Sequence, residues 1–238
     1  MVRFTLFGVP VEIQPWFWLS AAMLGGLNQA NTPEGLKLLL ISVVATTISI
    51  LVHEFGHALV GRRLGGGHAS ITLWAFGGLA YNQGGRFTKS GHFWRIAAGP
   101  GAGFAFFILI CLLLSLAFSP RDGWALPANL LFSGGFKVSP QAAEFFLGRY
   151  PILHLLYSLL WINFWWGMVN LLPVIPLDGG RIAELFIRPQ KRVHQVAIVA
   201  AGGMAIYAAV GMQSIYTTLL FGYLAYRNYQ SLKEYHWQ

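Results

Sequence analysis

From residue 38 to residue 52 the chain is apolar or hydroxyl-bearing without one charge, and it then sets His53, Glu54 and His57 ahead of Ala58, Leu59 and Val60. Uncharged blocks also cover 96–120, 150–177 and 195–226. Each is as long as the ~20 apolar residues that cross a bilayer. As one helix, 195–226 would measure about 48 Å at ~1.5 Å per residue, too long for a ~30 Å hydrocarbon core. Gly202, Gly203 and Gly211 interrupt it, so it reads as two short spans or one strongly tilted helix, a choice that the charge count below decides for two. A shorter span is expected at 16–29, and the helix carrying the histidines at 34–63. These elements make an all-α polytopic membrane protein of about six transmembrane helices.

Two segments break the pattern. Residues 3–13 predict a short hairpin with Gly8 and Pro10 as turn residues. Residues 68–83 are too short and too glycine-rich to span. Ile71, Leu73 and Ala75 alternate there, which predicts a strand, a turn at Gly77-Gly78 and a second strand. Residues 119–150, with Pro120, Pro127, Pro140 and the pair Gly134-Gly135 among them, predict an irregular connection. The whole, 1–238, is expected to be one membrane-embedded domain, with a catalytic core at about 34–190, C-terminal helices at about 193–228 and no appended soluble domain.

Composition agrees: 55% of the residues are hydrophobic and 10% charged, against about 25% charged in soluble domains. The net charge of +8 does not indicate nucleic acid, because the Lys and Arg residues flank apolar blocks as topology determinants do. With six spans and both termini inside, only Lys37, Arg121, Lys137 and Arg149 fall outside. Five spans would move Arg227 and Lys233 outward and fit the rule less well. A multi-pass protein with cytoplasmic termini, in the cell membrane of a prokaryote, is expected. The lone Cys111 excludes an internal disulfide.

The chemistry sits in the opening stretch. His53 and His57, four apart, share one face of a helix and can point at one metal ion. Glu54 is the next residue round, beside a metal-held water without being a ligand. This is the H-E-x-x-H arrangement of zinc hydrolases. Zinc brings the pKa of its water toward ~7, and a carboxylate next to it can carry the proton to a leaving amine. Ionisable groups in a membrane helix are costly and functional by default. A catalytic zinc needs a third protein ligand. Of the two aspartates, Asp122 reads as a solvated turn residue. Asp178, at the end of the fourth apolar block, reaches the same membrane face as His57. His68 precedes a strand. His92 and His194 are expected near the surface, His154 at the outer face and His236 in the tail.

"HEFGH" on the second span, with "NLLPVIPLDGG" on the fourth and "WAFGGLAY" and "AAGPGAGF" in order between them, resembles the site-2 protease family of intramembrane zinc metalloproteases. The resemblance implies one zinc ion held by His53, His57 and Asp178, Glu54 as general base, and Asn170 close to the active site against substrate backbone. It implies a transmembrane protein as substrate, such as a membrane-tethered regulator. Peptide hydrolysis also requires an extended substrate. The strand around Gly77 and Gly78 is expected to offer an edge for it. Irregular backbone at membrane depth is tolerated where it lines a wet cavity. Pro173 and Pro176 are expected to stop the fourth helix and leave Asp178 free to swing. Gly99 and Gly103 are expected to serve helix packing. A metal-binding carrier without proteolysis is the other class. It would need ionisable groups at successive depths, whereas here they gather at one face.

Overall fold

The computed structural model describes residues 1–27, 30–75 and 77–234. Gln29, at the predicted end of the first span, Phe76, inside the predicted strand pair, and His236 lie outside the described residues.

The chain starts with β1 (Val2–Leu6) and β2 (Val9–Ile13), paired antiparallel. The turn is Phe7-Gly8, both at positive φ, as two-residue hairpins require. Pro10 is not a turn residue as predicted. It lies in β2 opposite Thr5, and the β2–β3 ladder begins only at Val11, so its missing N–H costs that ladder nothing. β3 (His68–Trp74) joins β2 in parallel, and β4 (Gly77–Gln83) pairs antiparallel with β3. The order β1-β2-β3-β4 leaves β4 at an edge. Gly77 and Gly78 are strand residues opposite Trp74 and Leu73, so the turn falls earlier than expected. Alternation does the rest: Val9, Val11, Ile13, Ala69, Ile71 and Leu73 point inward and pack on Ile50, Phe55 and Ala58.

Those last three belong to α2 (Pro33–Gly65), capped by the Thr32 hydroxyl on the Gly35 amide. α2 is about 50 Å long at ~1.5 Å per residue. It therefore outruns a bilayer core, and the sheet closes around its last turns. α3 (Lys89–Ala117) lies along it. Glycines let the two backbones approach. A Cβ on Gly56 would meet the Ala98 carbonyl, and one on Gly99 would enter the His57 ring. Small residues at such contacts are how membrane helices pack.

Residues 119–150 are more ordered than expected. They form α4 (Asp122–Phe132) and α5 (Pro140–Phe146). Asp122 is fully buried, not a solvated turn residue. Its carboxylate accepts from the Ser119 hydroxyl at 2.5 Å and the Ser139 amide at 2.8 Å, tying both ends of the connection together. Burial opposes its ionisation, but these donors outweigh it and hold the carboxyl below the usual range.

The predicted fourth span is α6 (Tyr150–Trp161), a π-helical turn (Ile162–Trp166) and α7 (Gly167–Asn170). The π turn holds buried Asn163, whose amide donates to Ser49 Oγ on α2 and to the Leu159 carbonyl, both at 2.8 Å. The helix stops at Asn170, before either proline, and Asp178 opens a new helix, α8 (Asp178–Phe186). The block 195–226 is divided as expected, into α9 (Lys191–Val210) and α10 (Ile215–Glu234). They form an antiparallel hairpin, with His194 near the start of α9 bonded to Asn228 near the end of α10. His194 is thus buried, not superficial.

Among the described residues, four helices are long and apolar enough to cross a membrane: 33–65, 89–117, 150–170 and 191–210. α1 (Pro15–Leu24) reaches only about 15 Å. The predicted count of six therefore depends on α1 and α10, neither of which meets that measure.

Asn228 also reaches the loop ahead of α8, donating to the Ile175 carbonyl at 2.8 Å. Asn228→Ala would leave a partly buried carbonyl unpaired and is expected to cost ~1–3 kcal/mol. Thermal unfolding in detergent checks this; an unchanged midpoint would remove the tether.

Candidate metal centre

His53 and His57 leave α2 on one side because they are one turn apart. Both are nearly enclosed, as is Glu54. Asp178 comes from the first turn of α8, buried to 8% exposure. It has little freedom to swing: the backbone beside it is fixed by contact. A Cβ on Gly179 would strike the Leu171 carbonyl and one on Gly180 the Val174 carbonyl. This close approach is what the glycine pair serves.

Three donor atoms converge. His53 Nε2 is 3.0 Å from Asp178 Oδ2, His57 Nε2 is 3.3 Å from the same oxygen, and the two Nε2 atoms are 3.1 Å apart. The far side of His57 fixes its tautomer. Nδ1 lies 2.8 Å from the Arg95 carbonyl, which can only accept. Nδ1 therefore carries a proton in either charge state: the neutral ring presents its Nε2 lone pair to a metal, and the doubly protonated ring donates Nε2–H to Asp178. Burial opposes ionisation of Asp178, but hydrogen bonds from His53 and His57 outweigh it and hold the carboxyl below the usual range.

The donor set fits a metal ion. Tetrahedral zinc with ligands at ~2.0–2.2 Å separates its donor atoms by roughly 3.3–3.6 Å, and the observed triangle is slightly tighter. Two neutral imidazoles and one carboxylate suit zinc in hardness and charge. These three are the group of His, Cys, Asp and Glu side chains, among the described residues, gathered closely enough to share one ion.

Glu54 faces the same cavity, of about 120 Å³. Its carboxyl lies against the first residues of β4: a Cβ on Gly78 would overlap Glu54 Cγ, Cδ and Oε1. Gly78→Ala is therefore expected to displace Glu54. A misplacement of ~1 Å costs on the order of 10²-fold in rate, with zinc content unchanged. Turnover and bound metal, measured together, check this, and normal turnover would show that the contact is dispensable.

Asn170 and Gly78 line the cavity; Gly77 does not. Gly77 stands at φ 121° beside Trp166, a conformation that favours glycine. Sequence reasoning missed Trp74, Trp166, Arg95 and Arg181, which also line the cavity. The arginines were counted only as topology determinants, and nothing in their spacing marks them. The remaining histidines stand apart. His68 is exposed at the start of β3, His92 stacks near Phe87, and His154 meets Ser42 Oγ at 2.8 Å.

Comparison with known proteins gives a consistent picture. A zinc metalloprotease of Methanocaldococcus jannaschii is 26% identical over 93% of this chain and 53% of its own length. A putative zinc metalloprotease, Rip3, of Mycobacterium tuberculosis is 33% identical over 58% of this chain and 29% of its own. A putative zinc metalloprotease of Synechocystis is 28% identical over 77% and 43%. The chain thus spans about half, or less, of the length of these relatives. The solved site-2 protease of Methanocaldococcus jannaschii superposes with a TM-score of 0.58 at 22% identity, covering 96% of this chain and 94% of that one, and so shares its fold. The sequence model of Peptidase family M50 matches residues 41–210, the stretch that carries both histidines, Glu54 and Asp178. On that match the chain belongs to Peptidase family M50.

Proposed function

We propose that this chain is an intramembrane zinc endopeptidase that cleaves another protein within or beside a transmembrane segment. The observation that carries the reading is the triangle of His53, His57 and Asp178 donors with Glu54 in the same cavity, beside an edge strand. Zinc, when bound, would supply a Lewis acid that makes water nucleophilic near neutral pH and polarises the scissile carbonyl. His53, His57 and Asp178 hold it, and the Arg95 carbonyl keeps His57 in the binding tautomer. Glu54 takes the proton of the attacking water and delivers it to the departing amine. β4 receives the substrate in extended form by strand addition, with Gly78 allowing backbone to approach Glu54. Asn170 contacts that backbone as it passes. Trp74 and Trp166 restrict water at the cavity wall.

The catalytic core is residues 34–190, within a single membrane-embedded domain. The substrate is a membrane protein, reached through the bilayer. The cell membrane of a prokaryote is the proposed location, with both termini cytoplasmic and α10 returning the chain across the bilayer. Reconstituted, zinc-loaded protein incubated with single-span membrane proteins should yield fragments whose new ends map in or next to the span, and a zinc chelator should stop the reaction. Stoichiometric zinc with no cleavage of any such protein would favour a metal-binding membrane protein instead.

A further inference from the structure

The chain carries sixteen Lys and Arg residues. All are exposed except two, Arg95 and Arg181, which are partly buried and line the cavity of the metal centre. Arg95 comes from α3 and Arg181 from the first turn of α8. Neither takes part in an ion pair among the described residues. Arg95 Nε is buried without a hydrogen-bond partner, and its guanidinium stands 5.1 Å from the centre of the Phe87 ring, a stack that orients the plane of its fork. The two cations are close enough to act on one another. The carboxylates nearby act on them only at a distance and form no ion pair with them: Asp178 Oδ2 is shared between His53 and His57, and Glu54 is packed against Gly78.

Two converging guanidiniums in a small, partly dry cavity call for an anion, and planar forks match a carboxylate. A topology determinant would be exposed, as Arg62, Arg63, Arg86, Arg188 and Arg192 are. That separates the pair from lipid-phosphate contacts. We propose that Arg95 and Arg181 form a carboxylate-binding subsite inside the catalytic cavity, taking a carboxylate of the bound polypeptide. The inference rests on the proteolytic reading above. There, hydrolysis breaks the amide C–N bond, forms a C–O bond from water and moves a proton to the amine. A new carboxylate is thus produced inside the cavity that holds both cations. An acidic side chain flanking the scissile bond offers the same group before cleavage.

The test uses the full, zinc-loaded chain in detergent and three short probes. They are acetyl-Ala-Leu-Phe as the free acid, the same peptide as its C-terminal amide, and acetyl-Ala-Glu-Phe amide. Binding is measured by calorimetry. At least one carboxylate-bearing probe should bind about tenfold or more tightly than the plain amide, as a charge-assisted contact implies. That preference should vanish in Arg95→Gln and Arg181→Gln, partly survive in the Lys variants, and persist in Arg188→Gln. Contact of the acid with zinc is common to all variants, so the loss on substitution isolates the guanidiniums. Preference for the free acid assigns the subsite to the product end; preference for the Glu probe assigns it to a substrate side chain. Equal binding of all three, or a preference intact in both Gln variants, overturns the subsite while leaving peptide binding in the cavity. Failure of every probe to bind overturns both. One zinc per chain in each variant certifies the fold, and the Lys forms serve if a Gln form lacks it.

Discussion

Glu54→Gln should abolish peptide cleavage while leaving zinc in place. Glutamine has nearly the shape of glutamate, so its packing against Gly78 and the neighbouring imidazoles survives. What disappears is the ability to accept a proton. General-base catalysis contributes typically 10²–10⁴-fold, and a loss of at least about that size is expected in turnover of a single-span substrate. Glu54 belongs to the site without belonging to the donor triangle, so metal analysis should still return one ion per chain. The variant should also retain uncut substrate long enough for crosslinking and pull-down, which makes it the means of identifying that substrate. Full activity in Glu54→Gln would defeat the mechanism.

The second large effect is on metal retention. Asp178→Ala removes one corner of the triangle and leaves two imidazoles. Groups that merely orient a ligand are worth about 10–100-fold in affinity. Loss of a ligand itself should therefore cost more than ~100-fold in zinc affinity, and turnover should fall with it. Asp178→Asn keeps the shape but not the charge, and should fall between. Competition with a coloured chelator measures all three proteins. Unchanged zinc affinity in Asp178→Ala would remove Asp178 from the centre. Because Asp178 Oδ2 also lies 3.0 Å from His53 Nε2 and 3.3 Å from His57 Nε2, thermal stability should be recorded alongside.

The sequence pattern predicted the centre far better than its surroundings, for a physical reason. Two histidines four apart meet on a helix by covalent geometry alone, and a helix was assured by an uncharged apolar run. Asp178 followed from counting blocks, since alternate spans end at the same face. The sheet followed from period-two alternation. By contrast, α4 runs through Pro127, where propensity argues against helix, and α5 starts at Pro140, a signal that fits a helix start or a loop equally well. Their order comes from contacts such as those of buried Asp122, which join distant residues. The π turn at Asn163 depends on Ser49 of another helix. Arg95 and Arg181 look like any basic residue beside a span until folding brings them into one cavity. The span count was similarly opaque: α1 is apolar but only 10 residues long, whereas α10 matches α9 at 20 residues and is set apart by its more polar composition. Asp122 and His194 illustrate the same limit, because burial of a polar side chain is decided by partners remote in the chain.

The hydrogen bond from Asn228 to the Ile175 carbonyl bears on how the protein is made. His53 and His57 emerge first from the ribosome, and Asp178 leaves more than a hundred residues later. Even then the loop preceding it still awaits a restraint supplied near the far end of the last described helix. The scaffold of the metal centre is therefore complete only after Asn228 has been made, 53 residues beyond the carbonyl it holds.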